Sequence, residues 1–177
     1  LIAFLILSLI FWNYLKIKNE KIVSNKINSI IPFSFLILVF TQITIGAFVS
    51  GMDAGKIYNS WPFMGESYFP NDNNFINLFK ISAFSDPSLV QFIHRNLAYI
   101  ILGIFLIILY YVINNKLFNY YSTIKILGII LIIQIFLGVL TVLHGAQMFL
   151  ASMHQISSIA LISSSIYLLF LNTKKIN

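Results

Sequence analysis

Four apolar stretches, each long enough to cross a lipid bilayer, limit what this chain can fold into more than any other feature of its sequence. A transmembrane helix needs about 20 apolar residues at a rise of about 1.5 Å each. The stretches that reach this length are Ile31–Ser50, Gln91–Ile113, Thr123–Leu143 and Ala151–Leu171. Their apolar residues do not alternate with a period of two, which argues against barrel strands. We therefore predict an all-α polytopic membrane protein with a four-helix transmembrane bundle.

A fifth apolar stretch precedes these four. Leu1–Leu15 is too short to span a bilayer alone, and it has neither a basic n-region nor a small-residue cleavage site, so it does not read as a signal peptide. We expect residues 1–15 to be the end of a truncated transmembrane helix and residues 16–30 to form a cytoplasmic loop. Residues 31–177 would then form the four-helix unit, with a long outer loop at residues 51–90.

The charged residues are few and unevenly placed. They make up 9% of the chain, whereas a soluble domain has about a quarter. Lysines cluster in the first and third connections and at the C-terminus, as Lys16, Lys18, Lys21, Lys26, Lys116, Lys125, Lys174 and Lys175. The positive-inside rule places these segments in the cytoplasm. The net charge of +6 is therefore a topology signal, and we expect no nucleic-acid partner.

The outer loop has its own pattern. It carries four of the five acidic residues, together with most of the Gly, Pro and Asn residues that favour turns. Apolar side chains at helical spacing predict a short amphipathic helix over Phe75–Phe84 on the outer surface. An irregular, aromatic-rich loop is the alternative.

Three histidines, His94, His144 and His154, all map to the outer side of the predicted bundle. Ionisable side chains in membrane spans are costly and usually face the bundle interior or a water-filled cavity. His94 and His154 lie at similar depth on different helices, which suits a heme iron with two axial imidazoles or half of a zinc or copper site. The latter would need further ligands, for which only His144, Met148 or Met153 are candidates. The alternative is that each histidine is an interfacial residue bonded to the backbone.

Of these interpretations, heme is favoured because it needs only two protein nitrogens, an apolar slot and nearby cations. Arg95 follows His94 directly, and Lys56 and Lys80 lie in the outer loop. Small residues that could open the slot are Ala98, Gly103, Ser157, Ser158 and Ala160. The chain has no cysteine, which excludes thiolate ligands and covalent heme attachment. No acid lies in a span, so we expect no catalytic residue here.

A short internal repeat links two helix pairs. Gln42–Gly46 and Gln134–Gly138 share the pattern Q-I-x-x-G, each near the middle of an apolar stretch that leads to the outer side. The next stretch along the chain carries a histidine just inside its outer end in both cases. The pattern predicts two related helix pairs.

Five segments then stand out for their order and spacing across almost the whole chain. They are GAFVSGMDAGKIYNSWPFMG (Gly46–Gly65), Leu78-Phe79, VQFIHRNLAY (Val90–Tyr99), QIFLGVLTVL (Gln134–Leu143) and ASMHQ (Ala151–Gln155). Together they resemble the C-terminal half of heme A synthase. The chain departs from the usual family pattern at Ser60-Trp61, at Phe63 and at His144.

The resemblance implies an eight-helix protein of two related halves that oxidises a methyl group of heme O to a formyl group, giving heme A for terminal oxidases. His94 and His154 match the axial ligands of the heme b in the second half, beside Arg95. The catalytic residues would belong to the first half. The implied partners are heme O, the lipid bilayer, heme O synthase and oxidase assembly factors, and a homo-oligomer stays open. A bacterial inner membrane is the expected location, with the mitochondrial inner membrane as the alternative.

Two other functions remain as alternatives. A membrane b-type cytochrome for quinol electron transfer would use the same pair of histidines, but the Gly46–Gly65 segment does not fit it. A membrane assembly subunit without a cofactor is the second.

Overall fold

The computed structural model describes residues 1–18 and 27–173 of the chain, and this part contains helices and loops but no β-strand. The long helices are α1 (Ile2–Lys18), α2 (Ile30–Gly51), α3 (Pro87–Asn114), α4 (Tyr121–Leu143) and α5 (Met148–Thr173). Short 3₁₀ helices occur at Ala54–Lys56, Phe75–Phe79, Ile81–Ser85 and Phe118–Tyr120.

Four helical segments are long and apolar enough to cross a membrane, namely Ile30–Gly51, Pro87–Asn114, Phe118–Leu143 and Met148–Asn172. They confirm the prediction of an all-α polytopic membrane bundle. The first helix runs on to Lys18, three residues past the predicted end of the first stretch. Four of the lysines used to predict sidedness, Lys21, Lys26, Lys174 and Lys175, lie outside the described residues.

The connections alternate between the two ends of the bundle. At one end the long loop meets the α4–α5 turn, where a Cβ added at Gly55 would stand 3.1 Å from the Cβ of Ala146. At the other end Asn172 accepts hydrogen bonds from the Ile27 N–H (2.8 Å) and the Tyr120 hydroxyl (2.9 Å). The chain therefore crosses from end to end with each long helix from α2 to α5. We call the first end the loop end.

The apolar core fills the part of the bundle away from the loop end. Helix α5 lies centrally and packs against α1, α2 and α4, while α2 also packs against α3. The side chains that are almost wholly buried there include Phe35, Val39, Ile101, Ile108, Ile124, Leu127, Ile162 and Leu168. Large apolar side chains on the outer faces of the helices are exposed, as expected of surfaces that face lipid.

The loop end differs from the prediction in one segment. The single amphipathic helix expected over Phe75–Phe84 is instead two 3₁₀ helices separated by Lys80, whose backbone is extended (φ −96°, ψ 147°). The prediction of one continuous helix was therefore wrong. Just beyond, Asp86 caps α3 by accepting a hydrogen bond from the Leu89 N–H at 3.1 Å, and Pro87 occupies the first helical position.

Candidate functional site

His94 of α3 and His154 of α5 face each other near the loop end of the bundle. Their ring centroids are 6.5 Å apart and their planes are inclined at 82°. The Nδ1 atom of each ring is buried and has no hydrogen-bond partner. A buried polar atom without a partner is costly, so this pair has unused bonding capacity.

The separation of the two rings suits one shared metal ion. An imidazole nitrogen binds a transition metal at about 2.0–2.1 Å and the ring centre lies roughly 1 Å beyond it, so two rings sharing a metal have centroids about 6 Å apart. The observed 6.5 Å is close to this value. The residues present could therefore hold an iron between two axial imidazoles.

Two glycines leave the space that these rings occupy. A Cβ at Gly46 of α2 would stand 3.1 Å from Cε1 of His94, and a Cβ at Gly138 of α4 would stand 3.0 Å from Cε1 of His154. Contacts this short force the neighbouring ring to move. Each histidine ring therefore packs directly against the backbone of the preceding long helix, in the same way in both helix pairs.

The additional ligands considered for zinc or copper do not join this pair. His144 is exposed and its Nδ1 lies 2.9 Å from the main-chain oxygen of Leu140. Met148 and Met153 are also exposed. Within residues 1–18 and 27–173, no three side chains of the His, Asp and Glu types come together as a metal site.

Arg95 faces the outer loop. Its Nη2 donates to the carbonyl of Tyr58 at 2.8 Å, and its Nη1 donates to the carbonyls of Ser60 (2.8 Å) and Phe63 (3.3 Å). Its Nε is buried without a partner. The guanidinium thus fastens the loop to α3 next to His94 and keeps one unpaired donor.

The other two cations considered for this site have partners within the loop. Lys56 forms an exposed ion pair with Asp53 at 2.7 Å. Lys80 donates to the side-chain oxygen of Asn77 at 2.9 Å. Neither contact links these lysines to the histidine pair.

Further contacts hold the loop against the start of α3. The Trp61 indole donates to the Tyr99 hydroxyl at 2.8 Å, and the Tyr68 hydroxyl donates to Asn96 at 2.6 Å. Gln91 is buried and donates to the carbonyl of Tyr58 at 3.0 Å. The loop therefore covers the helix face next to His94.

Asp72 organises the part of the loop nearest to the start of α3. Its carboxylate accepts hydrogen bonds from the Tyr58 hydroxyl (2.9 Å) and from the hydroxyl of buried Ser88 (2.6 Å). Partial burial raises the pKa of Asp72, but the bonds from Ser88 and Tyr58 outweigh it, so the pKa lies below its ordinary value. Burial and the bond to Asp72 raise the pKa of Tyr58.

Comparison with known proteins assigns a family to this arrangement. Residues 1–166 match the model of the COX15-CtaA family, described as cytochrome oxidase assembly protein. The chain belongs to this family. The match confirms the resemblance to heme A synthase that the sequence motifs indicated.

Curated relatives of this family member are named heme A synthase. The protein from Pelagibacter ubique is 40% identical over 172 residues, which cover 97% of this chain and 51% of that protein. The protein from Rickettsia felis is 33% identical and that from Wolbachia pipientis 39% identical, with similar coverage. The chain thus spans about half the length of the curated relatives it matches. No solved structure matches it significantly.

The sequence pattern did not assign a role to two residues that contact the histidines in this COX15-CtaA chain. Gln42 and Gln134 each place their side-chain amide against one histidine. The repeated Q-I-x-x-G pattern was the available signal, because it puts a glutamine one turn before each glycine that lies against a ring. Of the small residues predicted to open a slot, Ser157 instead bonds to Gln134 and His154, and Gly103 is exposed.

Proposed function

We propose that this chain is the heme b-binding half of a heme A synthase, with His94 and His154 as the two axial ligands. The observation that carries the proposal is the pair of imidazoles that face each other from α3 and α5 with ring centroids 6.5 Å apart. The names of the relatives support the wider activity of heme A synthesis, and we propose that it proceeds by oxidation of a methyl group of heme O to the formyl group of heme A.

A heme held by these two histidines would supply reversible one-electron transfer. The residues of this chain would hold it in place. His94 and His154 would hold the iron as neutral imidazoles, each through a ring nitrogen that carries a lone pair. The apolar core lies on one side of the pair, and the outer loop is fastened to α3 through Arg95, next to His94.

In this proposal Arg95 acts in two ways. Its terminal nitrogens keep the loop seated through the carbonyls of Tyr58, Ser60 and Phe63. Its buried Nε–H has no partner and remains available to an anionic group such as a heme propionate, which would accept a charge-assisted hydrogen bond.

In the part of the chain that the structure describes, the acidic side chains lie away from the histidine pair. The acids Asp53, Glu66, Asp72 and Asp86 all lie in the loop between α2 and α3. Because the relatives are about twice as long, we assign the substrate heme and its catalytic groups to the remainder of the full-length protein. The full protein would work in a bacterial inner membrane beside heme O synthase and oxidase assembly factors.

A reduced-minus-oxidised visible spectrum of the detergent-purified protein, expressed with added heme, tests the assignment. The wild type is expected to show a low-spin b-type signal that His94→Ala and His154→Ala both abolish. His144→Ala is the matched control, because His144 is exposed and its ring bonds only to its own helix. It should leave the spectrum unchanged.

The outcomes separate the three functions. A signal that survives both ligand substitutions contradicts the site. A colourless wild type favours an assembly subunit without a cofactor. If the heme signal is present but the full-length protein makes no heme A from heme O, the result favours a b-type cytochrome for electron transfer.

A further inference from the structure

Gln42 and Gln134 occupy equivalent places in the two helix pairs. The Nε2 of Gln42 donates to the main-chain carbonyl of His94 at 3.0 Å, and the Nε2 of Gln134 donates to that of His154 at 3.1 Å. Because a carbonyl oxygen only accepts, these bonds fix which end of each amide faces the histidine. Both contacts cross between helices, from α2 to α3 and from α4 to α5.

The same amide nitrogens also approach the histidine rings. Nε2 of Gln42 lies 3.3 Å from Nε2 of His94, and Nε2 of Gln134 lies 3.5 Å from Nε2 of His154. With one amide hydrogen on the carbonyl, the second can bond to the ring nitrogen in the tautomer in which that nitrogen is the acceptor. Such a nitrogen carries its lone pair, which is the form that binds a metal.

The glycine that follows each glutamine completes the arrangement. Gly46 and Gly138 lie one helical turn further on and leave room for the ring edge, as the 3.1 and 3.0 Å clearances of an added Cβ show. The glutamine therefore fixes the backbone and one ring nitrogen, while the glycine sets how closely the ring can approach its helix. The repeated Q-I-x-x-G pattern encodes both contacts.

The two helix pairs differ in one respect. The Ser157 hydroxyl lies within hydrogen-bond distance of both Oε1 of Gln134 and the carbonyl of His154, and its single O–H can donate to either acceptor. Three residues after His94 the equivalent position is Leu97, and the Oε1 of Gln42 is buried without a partner. Gln134 can thus be held at both ends of its amide and Gln42 at one end.

We propose that Gln42 and Gln134 are positioning residues for the two axial histidines, an inference that rests on the proposed function. Each would hold its histidine through the bond from the glutamine amide to the histidine main-chain carbonyl, a contact that does not compete with a metal for the ring nitrogen. Ser157 strengthens this arrangement on the His154 side only.

Gln42→Met and Gln134→Met test the proposal, since methionine has a similar size and no donor. Loss of an outer-shell partner typically lowers metal-site affinity by about 10–100-fold, so we expect heme affinity to fall to this extent. We also expect the midpoint potential and the low-spin electron paramagnetic resonance signal to shift, because both respond to ligand orientation. Gln42→Glu and Gln134→Glu keep the shape but replace the amide donor, and they decide the case if a methionine variant fails to fold.

Thr44→Val is the matched control, because the Thr44 hydroxyl bonds only to the Phe40 carbonyl within α2. It should leave affinity, potential and resonance signal unchanged. Ser157→Ala should shift the electron paramagnetic resonance signal in the same direction as Gln134→Met does, but by a smaller amount. If the wild type binds heme and the histidine variants do not, yet the Met and Glu variants match the wild type in all three readouts, the positioning role is overturned while the proposed function stands.

Discussion

Gly128 of α4 lies directly against the ring of Phe105 in α3, so closely that an added Cβ would stand 2.8 Å from Cζ of that ring. Phe105 is itself buried, with 6% of its surface exposed. Helices in membranes associate largely through close packing, and small residues let their backbones approach. This contact therefore sets how near α3 and α4 can come to each other.

Gly128→Ala should destabilise the bundle, because the added methyl group forces the Phe105 ring or the helix to move. Overpacking of this kind costs about 1–3 kcal/mol. The control is Gly103→Ala in α3, where an added Cβ meets nothing within 4 Å. Both changes raise helix propensity equally, so the difference between their Tm values reports the effect of packing alone. Thermal unfolding in detergent, followed by circular dichroism, should give a lower Tm for Gly128→Ala, and equal Tm values would refute the packing argument.

Asn172 ties three segments together at the end of the bundle away from the loop. It is 1% exposed and bonds to the Ile27 N–H, the Tyr120 hydroxyl and the Ser29 hydroxyl. Asn172→Ala would leave the buried partners of its oxygen unsatisfied, at a cost of about 1–3 kcal/mol for each group. We expect a clear fall in Tm, and a smaller fall for Tyr120→Phe, which removes only one of these bonds.

The control for this prediction is Asn115→Ala. Asn115 is exposed and its side chain bonds only to the Tyr111 carbonyl of its own helix. This variant should unfold close to the wild-type temperature. If Asn172→Ala also unfolds close to the wild-type temperature, the contact that Asn172 makes with these segments contributes little to stability.

The helices could be predicted from the sequence because bilayer thickness imposes their length. All four predicted spans match observed helices, with small differences at their starts: α3 begins at Pro87 because Asp86 caps it, and α5 begins at Met148. The Phe75–Phe84 segment could not be predicted in the same way. Its apolar spacing is helical, but the extended backbone of Lys80 interrupts it, and no periodicity rule detects such a break.

The histidine pair was predictable from depth and sidedness alone, whereas its surroundings were not. The carbonyls of Tyr58, Ser60 and Phe63 come to Arg95 only because the loop folds back over α3. Main-chain groups carry no signal in the sequence that would reveal this contact. The glutamine contacts were partly encoded, since the repeat places Gln42 and Gln134 at matching positions, but their bonds to the histidines depend on how neighbouring helices are rotated.

Arg95→Lys should loosen the loop even though the charge is kept. The guanidinium serves three carbonyls through two nitrogens in a fixed plane, and a single ammonium cannot reproduce that geometry. We expect faster cleavage of residues 57–69 by thermolysin, mapped by mass spectrometry. Lys56→Met is the control, because its ion pair with Asp53 is exposed and such pairs contribute about 0–1 kcal/mol. Equal cleavage of both variants would remove Arg95 as the anchor of the loop.

Asp72 should make the loop sensitive to acid. Its pKa is lowered from the ordinary value of 3.8, because the bonds from Ser88 and Tyr58 outweigh the opposing effect of burial. A carboxyl group with a lowered pKa in the folded state adds stability above its unfolded pKa, and that stability is lost as the pH falls through the folded pKa. The loop should therefore stay closed at neutral pH and open only as the pH falls below 3.8 and through the lowered pKa of Asp72.

The fluorescence of Trp61 can report this opening, because its indole bonds to Tyr99 across the loop–α3 contact. The other tryptophan, Trp12, is replaced by phenylalanine in every variant. Tyr58→Phe removes one of the bonds that lower the pKa of Asp72, so its acid transition should shift to higher pH. Asp72→Asn cannot titrate and should lose the Asp72-dependent part of the transition. The parent protein with Trp12 replaced, the Tyr58→Phe variant and the Asp72→Asn variant are compared. If their fluorescence changes at the same pH, Asp72 is not the group that holds the loop closed.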